Sequence, residues 1–247
     1  VISNVMLENE NPSAVFSMQW TALEPTKELQ AVVGFNKAKN WEEFEEALLD
    51  FNAPAQNFVF ADKSGTIAYK ANGNVPIRKK GNAELPVPGN SSEYGWEGYI
   101  PYAELPRVVN PPVGYVATAN NEVVDEKYPY HISNIWAQPY RYERIVELLE
   151  SKEKLSVQDM KDIQMDAKNL YAIEFLPNLL ETLKASPLAN NYEDALKILE
   201  EWDYFDTVEQ SAPLIFHHLM ANMQESLFID EMPEDLYKLM PGKAQIL

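Results

Sequence analysis

The 247-residue sequence has no cysteine and little glycine, with 9 glycines against 17 prolines. Without cysteine the chain has no disulfides, no thiolate metal sites and no cysteine nucleophile. The balance of proline over glycine predicts rigid, extended connections rather than flexible linkers. No apolar run approaches the roughly 20 residues that a membrane-spanning helix needs.

Positive charge is also scarce. The 20 Lys and Arg residues face 38 Asp and Glu residues, which gives a formal net charge of −18. Such a surface repels phosphate backbones, so we expect no nucleic-acid partner. Hydrophobic residues make up 46% of the chain, which predicts a packed core within one large domain or two small ones.

Four segments predict β-strands. Residues 57–61 and 66–71 are apolar runs joined by Asp62-Lys63-Ser64-Gly65, which is a strong hairpin signal. β-Branched and aromatic residues predict a strand over 14–20, and residues 114–119 predict a buried strand. We expect these four strands to pair with one another.

Helices are predicted mainly in the second half of the chain. Apolar residues at helical spacing predict helices over 141–151, 156–165, 170–185, 192–202 and 211–228. The third of these contains Pro177, which we expect to kink or break it. In the first half, residues 27–35 predict a helix or a strand, with the helix favoured, and residues 40–49 predict a helix.

Asn40 with Glu43, and Ser156 with Asp159, are capping pairs that should open two of these helices. The proline- and glycine-rich residues 73–112 predict irregular structure. Together these patterns predict an α+β fold, with a β-rich part over residues 1–138 and a mostly helical portion over residues 139–247.

The residues alone say little about chemistry. His217 and His218 are adjacent, so on a helix they point about 100° apart and cannot ligate one ion from one face. They are interpreted as packing or surface residues, and His131 as a loop residue exposed to solvent. The acidic run over residues 42–46 predicts a solvated helix face. Phosphate-binding loops, serine-hydrolase elbows and zinc-protease helices are absent from the sequence.

Several short segments occur in a distinctive order along the chain. They are Val1-Ile2-Ser3, Phe16-Ser17-Met18-Gln19-Trp20-Thr21-Ala22, Asn36-Lys37-Ala38-Lys39-Asn40-Trp41, Asn57-Phe58-Val59-Phe60-Ala61-Asp62, Gly65-Thr66-Ile67-Ala68-Tyr69, Leu85-Pro86-Val87-Pro88-Gly89, Trp96-Glu97-Gly98, Asn110-Pro111-Pro112, Gly114-Tyr115, Ala117-Thr118-Ala119-Asn120-Asn121, Tyr128-Pro129 and Arg141. In this order they resemble the penicillin acylase (penicillin amidase) family of N-terminal nucleophile hydrolases. The resemblance covers residues 1–175 well and the helical tail loosely, with Gln19 where the family usually has Arg.

The resemblance implies part of a four-layer αββα sandwich, and an amidohydrolase that acts on penicillins, N-acyl homoserine lactones or related acylated amines. In the family, self-cleavage frees a Ser whose hydroxyl attacks the amide and whose own α-amino group acts as base. In the family, that Ser lies upstream of the segment that Val1 matches. Val1 itself has no hydroxyl, so it cannot be the nucleophile. We therefore expect the nucleophile in the remainder of the parent chain, which would be a partner of this piece. The resemblance also favours a cell-envelope, periplasmic or extracellular location in a bacterium.

Four residues match functional positions of the family. Asn120 matches the asparagine whose side-chain amide helps to hold the oxyanion, and Arg141 matches an arginine near the nucleophile's amine and the substrate carboxylate. The alternatives are that Asn120 caps a strand and that Arg141 pairs with a carboxylate such as Glu143. Val32 and Gln56 match walls of the acyl pocket, where a large aromatic and an aliphatic residue are usual, so a phenylacetyl preference is not implied.

The resemblance also bears on metals, because family members bind calcium partly through a carboxylate just after the Tyr-Pro step. Here that loop, residues 130–134, has no acidic residue, so we predict no metal and no cofactor. A different class of function stays open from the sequence: a non-catalytic, acidic binding domain on an acylase-derived scaffold. A piece cut from a sandwich would expose sheet edges and apolar faces, so we also expect self-association.

Overall fold

The structure is a computed structural model that describes residues 15–228 together with residues 231 and 233. Its contacts divide the chain into two compact units. The N-terminal unit contains the described residues up to 118 and residues 122–136, and the C-terminal unit contains residues 119–121 and those from 137 onward. The division into domains at residues 138 and 139 stays a prediction. Val1-Ile2-Ser3 and Ala14 lie outside the described residues.

The N-terminal unit combines two helices with two small antiparallel sheets. Its elements are α1 (Glu28–Lys37), α2 (Trp41–Leu48), β1 (Gln56–Ala61), β2 (Ile67–Asn72), β3 (Pro76–Arg78), β4 (Trp96–Tyr99) and β5 (Arg107–Val109), with short 3₁₀ turns at Thr21–Leu23 and Tyr102–Glu104. One sheet has the strand order β1-β2-β5, and β3 pairs with β4.

The predicted hairpin is confirmed as β1 and β2, paired from Ala61↔Ile67 to Gln56↔Asn72. Its turn is held by the Asp62 carboxylate, whose Oδ1 accepts hydrogen bonds from the backbone N–H groups of Ser64 (2.8 Å) and Thr66 (3.1 Å). Gly65 adopts a φ of 94°, a left-handed conformation that costs glycine little. The turn chemistry that is visible in the sequence therefore sets the register of the β1–β2 hairpin.

An aromatic core joins α1 and α2 to the sheet. Trp41, Leu48 and Ala68 are buried at its centre, and six partly buried hydrophobic residues pack against them: Phe35, Phe44, Phe58, Phe60, Tyr102 and Val109. The two helices approach closely at Gly34, where an added Cβ would lie 2.6 Å from the Cβ of Ala47. The helix favoured for residues 27–35 and the helix opened by Asn40 are both confirmed.

A charged network lies beside this core, and it corrects the interpretation of the acidic run as a solvated face. Lys70 is fully buried, with its Nζ 3.5 Å from Glu45 Oε1 and 3.2 Å from the carbonyl oxygen of Tyr102. Arg107 donates to both carboxylate oxygens of Glu45, at 2.6 and 2.8 Å. Glu42, Glu43 and Glu46 are exposed as predicted, whereas Glu45 binds two cations, one from β2 and one from β5.

Two of the four predicted strands are wrong. The described part of the first, residues 15–20, has no regular structure and is largely exposed. Residues 114–119 also form no strand. Gly114 (φ 82°) closes a turn in which its N–H donates to the carbonyl oxygen of Pro111. The residues that follow it do not pair with a neighbouring strand. The third strand of the sheet is instead β5. It belongs, with β3 and β4, to the region predicted as irregular.

The C-terminal unit is helical, as predicted. Its helices are α3 (Tyr140–Glu150), α4 (Val157–Gln164), α5 (Leu170–Ala185), α6 (Glu193–Glu200) and α7 (Ala212–Phe228), with a 3₁₀ turn at Ala189–Tyr192. Ser156 and Asp159 form the complete capping box of α4. Helix α5 runs through Pro177 without a break; this residue is exposed, so the carbonyl that loses its partner can bind water.

Helices α5, α6 and α7 pack on one another. Their shared core consists of Ala172, Leu176, Leu199, Trp202, Ala212, Phe216 and Met220. An ion pair ties α3 to the second residue after α4, with Arg144 donating to both oxygens of Asp166 at 2.8 Å. In the part of the chain that the structure describes, every helix is too short or too polar to cross a bilayer.

Candidate functional site

The segment Ala119–Asn121 carries the predicted oxyanion donor and is shaped by hydrogen bonds rather than by a strand. Asn120 has a φ of 61°, a left-handed conformation that asparagine tolerates better than most residues with a side chain. Its carbonyl oxygen accepts from the N–H of Ala137 at 2.9 Å. The alternative interpretation of Asn120 as the cap of a strand is wrong, because no strand precedes it.

Arg141 lies in the first turn of α3 and binds this segment directly. Its Nη2 donates to the carbonyl oxygen of Ala119 at 2.7 Å and to Oδ1 of Asn120 at 3.0 Å. A cation is disfavoured by the helix dipole at an N-terminus, so these two bonds offset an unfavourable position. Among the described residues Arg141 forms no ion pair with Glu143, the partner that the alternative interpretation named.

The pair fixes which way the Asn120 carboxamide faces. A guanidinium has N–H donors and no acceptor, so the atom of Asn120 that faces Arg141 must be Oδ1. The amide nitrogen, Nδ2, then points away from Arg141, and within residues 15–228 it has no hydrogen-bond partner. Asn120 is exposed. The geometry therefore presents a neutral N–H donor on a backbone that Ala137 and Arg141 hold by hydrogen bonds.

The two predicted pocket residues lie in the other unit. Val32 is on α1 with 42% of its surface exposed, and its carbonyl oxygen accepts from Asn36 Nδ2. Gln56 is the exposed first residue of β1, opposite Asn72. The structure thus brings Asn120 and Arg141 together within the C-terminal unit, while the role of Val32 and Gln56 in an acyl pocket stays a prediction.

Sequence reasoning missed one side chain at this site. The Oδ1 of Asn121 accepts from the backbone N–H of Ala119 at 3.0 Å, across Asn120. The only signal for it was the Asn-Asn pair at the end of a segment interpreted as a strand. For metals, the described residues bring no three acidic or histidine side chains together, and the absence of a metal stays a prediction. His217 is exposed and lies 3.1 Å from Asp206 Oδ2.

Comparison with known proteins identifies relatives of this chain. A penicillin acylase 2 proenzyme from a Pseudomonas species is 41% identical over 110 residues, which are 44% of this chain and 14% of that protein. An acyl-homoserine lactone acylase from Pseudomonas fluorescens is 32% identical over 83% of this chain and 24% of its own length. A penicillin G acylase from Escherichia coli is 31% identical over 68% of this chain and 20% of its own length. The chain therefore spans less than a quarter of each of these relatives.

A solved structure and a family model complete the comparison. The thermostable penicillin G acylase from Alcaligenes faecalis matches with a TM-score of 0.66 and 24% identity, over 85% of this chain and 39% of that chain. This likeness confirms the predicted fold class, an α+β part of the N-terminal nucleophile hydrolase fold. The family model described as penicillin amidase matches residues 1–246. The chain therefore belongs to the penicillin amidase family.

Proposed function

We propose that this chain is the part of an amidohydrolase that stabilises the oxyanion during hydrolysis of a linear amide. The substrate is an acylated amine such as a penicillin or an N-acyl homoserine lactone, in keeping with the names of its relatives. The nucleophile is an N-terminal Ser outside these 247 residues. This division of labour is supported by the small share of each relative that the chain covers.

The pairing of Arg141 with Asn120 carries the proposal. When the Ser hydroxyl oxygen attacks the amide carbonyl, its proton passes to the α-amino group and negative charge develops on the carbonyl oxygen. Asn120 Nδ2 donates a hydrogen bond to that oxygen. Because Arg141 already occupies Oδ1, the donor is oriented before the substrate arrives, so no reorganisation is needed in the transition state. As the intermediate collapses, the α-ammonium group gives this proton to the leaving nitrogen, which departs as the amine, and water then hydrolyses the acyl-enzyme.

Arg141 has capacity beyond this orienting role. Both of its hydrogen bonds use Nη2, so Nη1 and Nε remain without partners among the described residues. We propose that these groups face the substrate carboxylate or the nucleophile's surroundings, where the planar fork of a guanidinium binds a carboxylate well. Val32 and Gln56 are proposed to wall the acyl pocket, and a small apolar and a polar side chain do not favour a phenylacetyl group.

The test uses the full-length protein and the change Asn120→Ala. Losing one oxyanion donor lowers kcat on the order of 10²–10³-fold. The melting temperature should stay near that of the wild type, because Asn120 is exposed and the main cost to stability is the strain of Ala at a φ of 61°. Asn222→Ala is the matched control, since Asn222 is an exposed asparagine of the same unit. Near-normal turnover of an acylated anilide by Asn120→Ala would overturn the proposal.

The isolated chain gives a second readout of the same proposal. Without a Ser whose amine and hydroxyl are both free, it should not hydrolyse phenylacetyl or fatty-acyl anilides above the rate in buffer. Turnover by the purified 247-residue chain would show that its nucleophile is internal. No feature of the described residues favours the alternative of a non-catalytic binding domain, and self-association of the isolated chain stays a prediction for sedimentation to test.

A further inference from the structure

Ala119, the residue before the proposed oxyanion donor, is buried with 6% of its surface exposed. Buried backbone N–H and C=O groups need partners, and no ladder supplies them here. Side chains do so instead: Asn121 Oδ1 accepts from the Ala119 N–H at 3.0 Å, and Arg141 Nη2 donates to the Ala119 carbonyl oxygen at 2.7 Å. Thus the side chain of Asn121 holds the N–H group of Ala119, and the side chain of Arg141, from α3, holds its carbonyl group.

The bond from Asn121 closes a ring of atoms that contains Asn120. The ring runs from the Ala119 nitrogen through Asn120, with its φ of 61°, to the Asn121 side chain. A left-handed conformation is unfavourable for a residue with a Cβ, even if less so for asparagine, so this conformation persists where the surroundings determine it. Opening the ring would let the peptide on either side of Asn120 rotate, and the Asn120 carboxamide would turn with it.

We infer that Asn121 is a positioning residue, which aims the Asn120 amide by locking the backbone that carries it. The inference rests on the proposed function of Asn120. Asn121 itself need not touch the substrate, because its Oδ1 is engaged with Ala119. Two side chains then have complementary roles, since Arg141 orients the Asn120 carboxamide at Oδ1 and Asn121 fixes the backbone beneath it.

The experiment compares Asn121→Leu with Asn121→Asp in the full-length protein. Both replacements are close to asparagine in size, but only Asp keeps an Oδ1 acceptor for Ala119. A shift of about 1 Å in a catalytic group can cost on the order of 100-fold in rate, so we expect kcat to fall at least about tenfold in Asn121→Leu. We expect KM to change by less than about twofold, because binding of the remote parts of the substrate is untouched.

Asn121→Asp should keep a clearly higher kcat than Asn121→Leu. An added carboxylate can only oppose a developing oxyanion, so charge cannot explain the higher activity of the Asp variant. Equal or lower activity in Asn121→Asp would overturn the inference. If Asn121→Leu does not fold, Asn121→Ala replaces it; if neither folds, a loss above about tenfold in Asn121→Asp overturns the inference by itself.

A double variant separates this inference from the proposed function. If Asn121 acts through Asn120, adding Asn121→Leu to Asn120→Ala should lower kcat by less than about twofold further, since residues that act as a unit are not additive. Additive losses would overturn the positioning role. If Asn120→Ala alone leaves kcat unchanged, the proposed function fails. If that change collapses kcat and Asn121→Leu does not lower it, only the present inference fails.

Discussion

The two units of the chain bury polar groups in different ways. In the N-terminal unit a charged side chain, Lys70, is fully buried next to the aromatic core, with Glu45 and the Tyr102 carbonyl as its partners. The core of the C-terminal unit is apolar. A bidentate ion pair in this unit joins Arg144 and Asp166, whose side chains each keep 15% of their surface exposed. The N-terminal unit therefore has a charged group in its interior, whereas the Arg144–Asp166 pair of the C-terminal unit stays in contact with solvent.

The two networks also differ in the elements that they join. Glu45, Lys70 and Arg107 come from α2, β2 and β5, so their network exists only after the sheet has formed. Arg144 and Asp166 are 22 residues apart, and Arg144 has a second partner one turn away in Glu147, at 2.8 Å. Removing a carboxylate should therefore have unequal consequences in the two units.

The largest effect is expected from Glu45→Gln, compared with Asp166→Asn. Removing one partner of a buried charge typically costs 3–5 kcal/mol, and we expect about 3 kcal/mol for Glu45→Gln because Lys70 cannot reach water. Asp166→Asn should cost only about 1 kcal/mol, because Arg144 keeps Glu147 and some solvent. Unfolding of the full-length variants, monitored by hydrogen exchange in β2 for Glu45→Gln and in α3 for Asp166→Asn, measures the two losses of unfolding free energy.

Two further variants sharpen this comparison. Glu46→Gln is the control on the same helix, and since Glu46 is exposed its loss should be small. Lys70→Met in the Glu45→Gln background should restore stability, because it removes the unpaired buried charge. Equal losses for Glu45→Gln and Asp166→Asn, or no rescue by Lys70→Met, would show that the buried lysine is not what distinguishes the two units.

Acid should remove the two contributions over different ranges of pH. Arg107, with help from Lys70, holds the pKa of Glu45 below its ordinary value of 4.5. Arg144 holds the pKa of Asp166 below 3.8. A carboxyl group whose pKa is lower in the folded state stabilises that state fully above its unfolded pKa, and this stabilisation is lost as the pH falls through the folded pKa.

The difference in unfolding free energy between wild type and Glu45→Gln should therefore be constant near neutral pH and begin to shrink below pH 4.5. The corresponding difference for Asp166→Asn should begin to shrink only below pH 3.8. Thermal unfolding of the three proteins in steps from neutral to acid pH measures both onsets. A difference that grows on acidification would contradict the sign of both pKa shifts.

Local chemistry was predictable from the sequence, and long-range pairing was not. The caps at Asn40 and Ser156 and the Asp62 turn were predicted because each acts within a few residues. Residues 114–119 were wrongly predicted to be a strand. Their apolar run indicates burial, but an irregular segment that is held by side-chain hydrogen bonds can be buried as well. At the candidate site, the resemblance pointed to Asn120 and Arg141, but the bond from Asn121 depends on a backbone conformation that no pattern of apolar residues encodes.

The smallest effects are expected at the two predicted caps, and there too the units should differ. Asn40 Oδ1 accepts from the Glu43 N–H at 2.8 Å, and Ser156 Oγ accepts from the Asp159 N–H at 3.1 Å. Replacing a capping residue with Ala costs about 1 kcal/mol of helix stability. Helix α2 buries Trp41 and Leu48 in the core, so fraying at Asn40→Ala should lower the global unfolding free energy of the N-terminal unit.

Helix α4 has no buried residue, so Ser156→Ala should instead appear as faster hydrogen exchange within α4, with little change in global stability. Asn40→Asp and Ser156→Thr keep a capping oxygen and serve as controls that should stay near wild type. An equal global loss for Asn40→Ala and Ser156→Ala would mean that α4 is coupled to the core as tightly as α2. The contrast between the units would then not extend to their helix ends.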